Sequence, residues 1–108
     1  MPSPLVNRYA VYVHLQERGK VREPISKEPS LLLAVGACIS AYETTGHDSY
    51  VIEDRRPSRT FTLGRRLLLA CVFLRANDRP RYFDVLNQLD RLGDQKTLES
   101  LLADSVPL

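Results

Sequence analysis

The sequence predicts a mainly α fold: a compact bundle of four to five helices with one short β-hairpin near residues 50–62. Three observations carry this. Apolar residues recur at helical spacing, most cleanly at Tyr82, Val85, Leu86, Leu89 and Leu92. Ser, Asp and Gly residues stand where helices need to start and stop. The chain has 108 residues, which suits one helical domain over 1–108, and no linker divides it; residues 1–3 and 105–108 are expected to fray.

Ser3 and Pro4 form a helix start, Ser as cap and Pro at the first helical position, so a first helix is expected over 4–18, stopped by Gly19. The rival is a strand, because Tyr9, Val11, Val13 and Leu15 alternate with period two. Lys20–Ser26 reads as a polar connector containing Pro24. A second helix is expected from Lys27 to Thr45, capped by Ser26, helped by Glu28 at its positive end and stopped by Gly46. Its middle, Leu31–Tyr42, is apolar almost all round, and Gly36, Ala37 and Ala41 would let another helix pack closely. Tyr50-Val51-Ile52 and Thr60-Phe61-Thr62 have strand character and flank the turn-forming Arg55-Arg56-Pro57-Ser58, which gives the hairpin. A two-stranded hairpin alone is marginal, so it must lean on the helices. The third helix is expected over Leu63–Ala76, with a wholly apolar centre at Leu67–Leu74. Asp78 caps a fourth helix over Arg79–Leu92, stopped by Gly93, and Asp94 caps a fifth over Gln95–Asp104.

Composition narrows the function classes. The longest apolar run, Leu31–Ala41, is far shorter than the roughly 20 residues of a spanning helix. The N-terminus lacks the charged start and apolar stretch of a secretion signal, so a cytoplasmic location is expected. Cys38 and Cys71 lie within apolar stretches and read as buried, reduced thiols. No nucleophile elbow, phosphate-binding loop or metal-ligand spacing is present, and His47-Asp48-Ser49 in a row is no triad, because triad members meet in space from separate segments. The sequence therefore points to a protein that is not an enzyme and holds no metal or cofactor.

Charge is blocked along the chain. The net charge of +2 divides into +2 over residues 1–30, −4 over 31–54, +7 over 55–82 and −3 over 83–108. The basic block contains Arg55, Arg56, Arg59, Arg65 and Arg66, flanked by Tyr50 and Phe61. Arg suits planar contact with phosphate or carboxylate, and the rings could stack on bases. The competing assignment is internal: salt bridges to Glu53, Asp54 and the acidic C-terminal block.

The third and fourth helices also allow a helix-turn-helix reading, the fourth presenting Asp84, Asn87, Gln88, Asp90 and Arg91 outward. Two helices that are apolar around most of their circumference are hard to surround in so short a chain, which makes Leu32, Val35, Ile39, Leu68, Val72 and Phe73 candidates for a contact with another protein. The expectation is a small regulatory or adaptor protein of inhibitor or antiactivator type, acting by stoichiometric protein–protein binding as a homodimer. The alternative is a nucleic-acid-binding transcriptional regulator that uses the Arg55–Arg66 cluster and the helix pair.

Overall fold

The computed structural model describes residues 8–15, 21–55, 59–91 and 93–105. It corrects the expected class. The fold is α+β: among the described residues, a four-stranded antiparallel sheet carries four helices, in the order β1 (Tyr9–Leu15), β2 (Val21–Glu28), α1 (Leu31–Thr45), β3 (Tyr50–Asp54), β4 (Arg59–Leu63), α2 (Arg65–Asn77), α3 (Arg79–Arg91) and α4 (Gln95–Ser105). The strand order across the sheet is β2-β1-β3-β4.

The first expected helix is strand β1. Its period-two alternation outweighs the local Ser-Pro and Gly signals because both of its edges find partners, β2 on one side and β3 on the other. The proposed start at Ser3-Pro4 and stop at Gly19 lie outside the described residues. The polar connector and the first turn of the expected second helix together form strand β2. This strand lies at a sheet edge, where charge and Pro are tolerated and discourage pairing with other chains. Pro24 and Ser26 pair with the neighbouring residues Tyr12 and Val11, so Ile25 is the extra residue of a bulge.

The hairpin at 50–62 exists, but as half of this sheet rather than as an appendage to a bundle. Three rungs run across its inner face: Val13–Tyr50–Leu63, Val11–Ile52–Phe61 and Tyr9–Asp54–Arg59. The first two are apolar and form the core with Leu31, Val35, Ile39, Leu68, Leu74, Leu86, Leu89 and Leu98 of the helix layer. Burying each such side chain contributes about 1.5–3 kcal/mol. The third rung ends in charge at a position whose parity points it inward.

Helix α1 starts at Leu31, not Lys27. Ser30, not Ser26, caps it, its hydroxyl accepting from the Leu33 N–H at 3.3 Å. Gly46 ends it in the left-handed region at φ 81°, its N–H donating to the Tyr42 carbonyl at 2.9 Å. Helices α2, α3 and α4 fall within two residues of expectation, and Asp78 and Asp94 cap as the sequence suggests, accepting from the backbone N–H of Arg81 and Thr97. Gly93 joins α3 to α4 at φ 143°, where a Cβ would come within 2.7 Å of Leu89 Cδ2. This turn brings the Gln95 side chain onto β4. Its amide accepts from the Thr62 N–H at 2.8 Å and donates to the Thr62 carbonyl at 2.9 Å, so it occupies the open edge as a further strand would.

Candidate functional site

The expected Arg cluster is divided by the fold. Arg59, with the parity of Phe61 and Leu63, turns inward. Its Nε donates to Asp54 Oδ2 at 2.8 Å, and its Nη1 and Nη2 donate to the carbonyls of Gly93 and Asp90. Its guanidinium also lies 4.9 Å from the centre of the Phe61 ring. From the start of β1, Arg8 closes the other side of the same carboxylate: Nε to Oδ1 at 3.0 Å and Nη2 to Oδ2 at 2.9 Å. Asp54, whose side chain is 0% exposed, is thus held between two guanidiniums that are 16% and 15% exposed.

A second carboxylate completes the network. Asp90, near the end of α3, accepts hydrogen bonds on Oδ1 from the Tyr9 hydroxyl at 2.6 Å and from the Leu31 N–H at 3.0 Å, while Oδ2 lies 3.6 Å from Arg8 Nη1. Helix α1 has no acid in its own first turn, and Asp90 supplies one from a neighbouring helix. Among the described residues, two Arg and two Asp balance in charge. The Asp54 hydrogen bond pushes the Arg8 pKa further up, and burial, reinforced by the Asp90 bond, pushes that of Tyr9 up. The network bolts the sheet to the N-terminus of α1 and the C-terminus of α3. Asp90, expected on an outward recognition face, is partly buried and turned into this network.

The remaining cations of the cluster stay outside. Arg55 is exposed in the turn after β3, its N–H donating to the Arg8 carbonyl at 2.9 Å. Arg65 and Arg66 are exposed at the start of α2, where Gly64 supplies no side-chain cap. Arg56 lies outside the described residues. Tyr50 and Phe61, 0% and 1% exposed, are core residues, out of reach of a base.

The candidate apolar interface is also redrawn. Val35, Ile39 and Leu68 are fully buried, Leu32 and Val72 are half-buried, and Phe73 is exposed. Among the described residues, the large apolar side chains that reach solvent are Leu33, Leu69, Phe73 and Phe83, at 50%, 41%, 41% and 38%. Leu69 and Phe73 stand one turn apart on α2. Leu33 and Phe83 flank a groove of about 420 Å3 between α1 and α3, floored by Gly36 and Ala37 and reached by Glu28 and Arg79. Leu33, Leu69 and Phe83 escaped the sequence reading. The helical period would have found Leu33, because the buried set Leu31, Ala34, Val35, Cys38 and Ile39 leaves it on the far side.

Cys38 and Cys71 are buried and unpaired with each other, and burial pushes both thiols up to about 12. His47 is exposed in the loop after α1, and His14 sits on β1, its N–H bonded to the Ser49 carbonyl at 2.8 Å. Among the described residues no three His, Cys, Asp or Glu are grouped to hold a metal ion, and no helix is long and apolar enough to cross a membrane. No protein-family model matches the chain, and no match is found among curated proteins or solved structures.

Proposed function

We propose that the protein is a small cytoplasmic regulator or adaptor that acts by stoichiometric binding to another protein, in the manner of an inhibitor or antiactivator, and not by catalysis. One observation carries the reading: four large apolar side chains from three helices stand 38–50% exposed on a domain whose ionic centre is occupied internally. A reducing compartment fits the two buried thiols. The test is retention of partner proteins from native extract at low and high salt by the wild type and by a Leu69→Asp/Phe73→Asp variant with unchanged circular dichroism. A partner held at high salt in a fixed molar ratio by the wild type alone supports the reading. Identical retention by both, or none by either, overturns it.

A second reading, binding of nucleic acid, is favoured by the exposed Arg55, Arg65 and Arg66. Arg59 no longer contributes to it, since the interior holds that cation. The reading requires polyanion binding that falls steeply with salt and is lost in an Arg55→Ala/Arg65→Ala/Arg66→Ala variant. Absence of binding at low salt rules it out.

A further inference from the structure

We propose that the groove between α1 and α3 is the seat of a second copy of this chain, docked about a twofold axis. The proposal rests on the protein-binding reading and names the partner for one of its surfaces.

The first argument is shape. Leu33 and Phe83 project from the same groove in which Gly36 and Ala37 lie recessed. A twofold axis across the groove lets each copy's projections enter the other's trough, the self-complementarity that an isologous contact demands.

The second is Gly36 itself. It lies inside α1, away from both ends, and a Cβ there would meet nothing within 4 Å. A glycine at such a position weakens the helix relative to Ala, and the monomer gains no space by it. What it offers is an approach to the helix backbone from outside.

The third is charge. Asp90 near the end of α3 accepts from Leu31 at the start of α1, and Arg79 at the start of α3 lines the groove with Ser40 farther along α1, so α3 runs antiparallel to α1. The groove therefore has an acidic end at Glu28 and a basic end at Arg79, about 15–20 Å apart at 1.5 Å per helical residue. The same axis sets Glu28 of each copy against Arg79 of the other. A foreign helix could match the shape or the charge; a second copy matches both by symmetry.

Sedimentation equilibrium across micromolar to submillimolar concentrations tests this. The wild type is expected to show a monomer–dimer equilibrium. Gly36→Leu should weaken it by about tenfold or more while leaving the thermal midpoint of dilute protein unchanged or higher, because only the interface loses space. Glu28→Arg and Arg79→Glu should each weaken it similarly, by setting like charges face to face. A one-to-one mixture of those two variants should recover the dimer, because both cross-contacts are then attractive. A monomeric wild type overturns the proposal, as does a dimer indifferent to Gly36→Leu or a mixture that does not recover. If the proposal fails while a different protein is still retained through Leu69 and Phe73, the binding function stands without it. If dimerisation holds and no other protein is retained, the converse applies.

Discussion

Replacing Asp54 with Asn changes almost nothing in shape and nearly everything in the electrostatics of the inner rung. The wild-type carboxylate receives Arg8 Nε at 3.0 Å, Arg8 Nη2 at 2.9 Å and Arg59 Nε at 2.8 Å. An amide keeps one acceptor oxygen and turns two N–H donors toward guanidiniums that are themselves donors. Among the described residues, the network loses one of its two carboxylate charges and keeps both guanidiniums. Hydrogen bonds to charged groups contribute about 1.5–3 kcal/mol each, and removing one partner of a buried ion pair costs about 3–5 kcal/mol. A loss of about 4 kcal/mol is therefore expected, a large part of the roughly 5–15 kcal/mol that holds a small domain. In urea, with a slope of about 1–2 kcal/mol per molar, the midpoint should fall by about 2 M or more at unchanged slope. The control is Glu53→Gln, one residue earlier on the opposite face of the strand. It breaks the Arg22–Glu53 pair, which is also 2.8 Å long but has side chains 50% and 38% exposed, and it should cost under about 1 kcal/mol. If Asp54→Asn proves no worse than Glu53→Gln, the network is not what joins the sheet to the helices.

Other outcomes follow from the same geometry. Cys38, Cys71, Tyr9, Tyr50 and Tyr82 are all weak acids whose pKa burial raises, so the fold keeps them neutral where the unfolded chain ionises them. Their contribution is complete below the unfolded values, 9.0 for the thiols and 10.0 for the tyrosines, and is lost as pH rises through the folded ones. Urea titrations should show stability level in these groups up to about pH 8.5, then falling by about 1.4 kcal/mol per pH unit for each group ionised only when unfolded; a level profile to pH 11 contradicts this. Gly64→Asp should gain about 0.5–1 kcal/mol by capping α2 and offsetting Arg65 and Arg66 at its positive end, read as a higher thermal midpoint. Gln95→Ala frees the β4 edge at Thr62, and light scattering on warming should detect aggregation earlier than in the wild type.

Helices were legible wherever local chemistry and tertiary demand agree. The α3 stripe, the Gly46 stop and the Asp78 and Asp94 caps are all decided within four residues of themselves. Sheet membership is decided elsewhere in the chain. Strand β2 looks like a connector because an edge strand is kept polar and carries Pro24, and β1 competes with helix signals that only pairing overrules. The Arg cluster misled because it was read by proximity in sequence. Strand parity separates its members: Tyr50, Ile52 and Asp54 share one face, and so do Arg59, Phe61 and Leu63. An acid on an inward face implies a base beside it, and Arg59 was in view. Arg8 and Asp90 had no such local sign, lying 46 and 36 residues from Asp54 in the chain.

The ionic network has a kinetic consequence. Apart from the Asp54–Arg59 bond within the β3–β4 hairpin, its partners are separated by 31 to 82 residues, from Arg8 at the head of β1 to Asp90 near the end of α3. Closing loops of that length comes late in folding, after the hairpins and helices have formed from contacts near in sequence. Interactions absent from the transition state govern how fast the native state is lost rather than how fast it is reached. Changes at Arg8 or Asp90 should thus steepen escape from the folded state and leave refolding nearly untouched, which makes this small charged cluster a latch on the lifetime of the native protein.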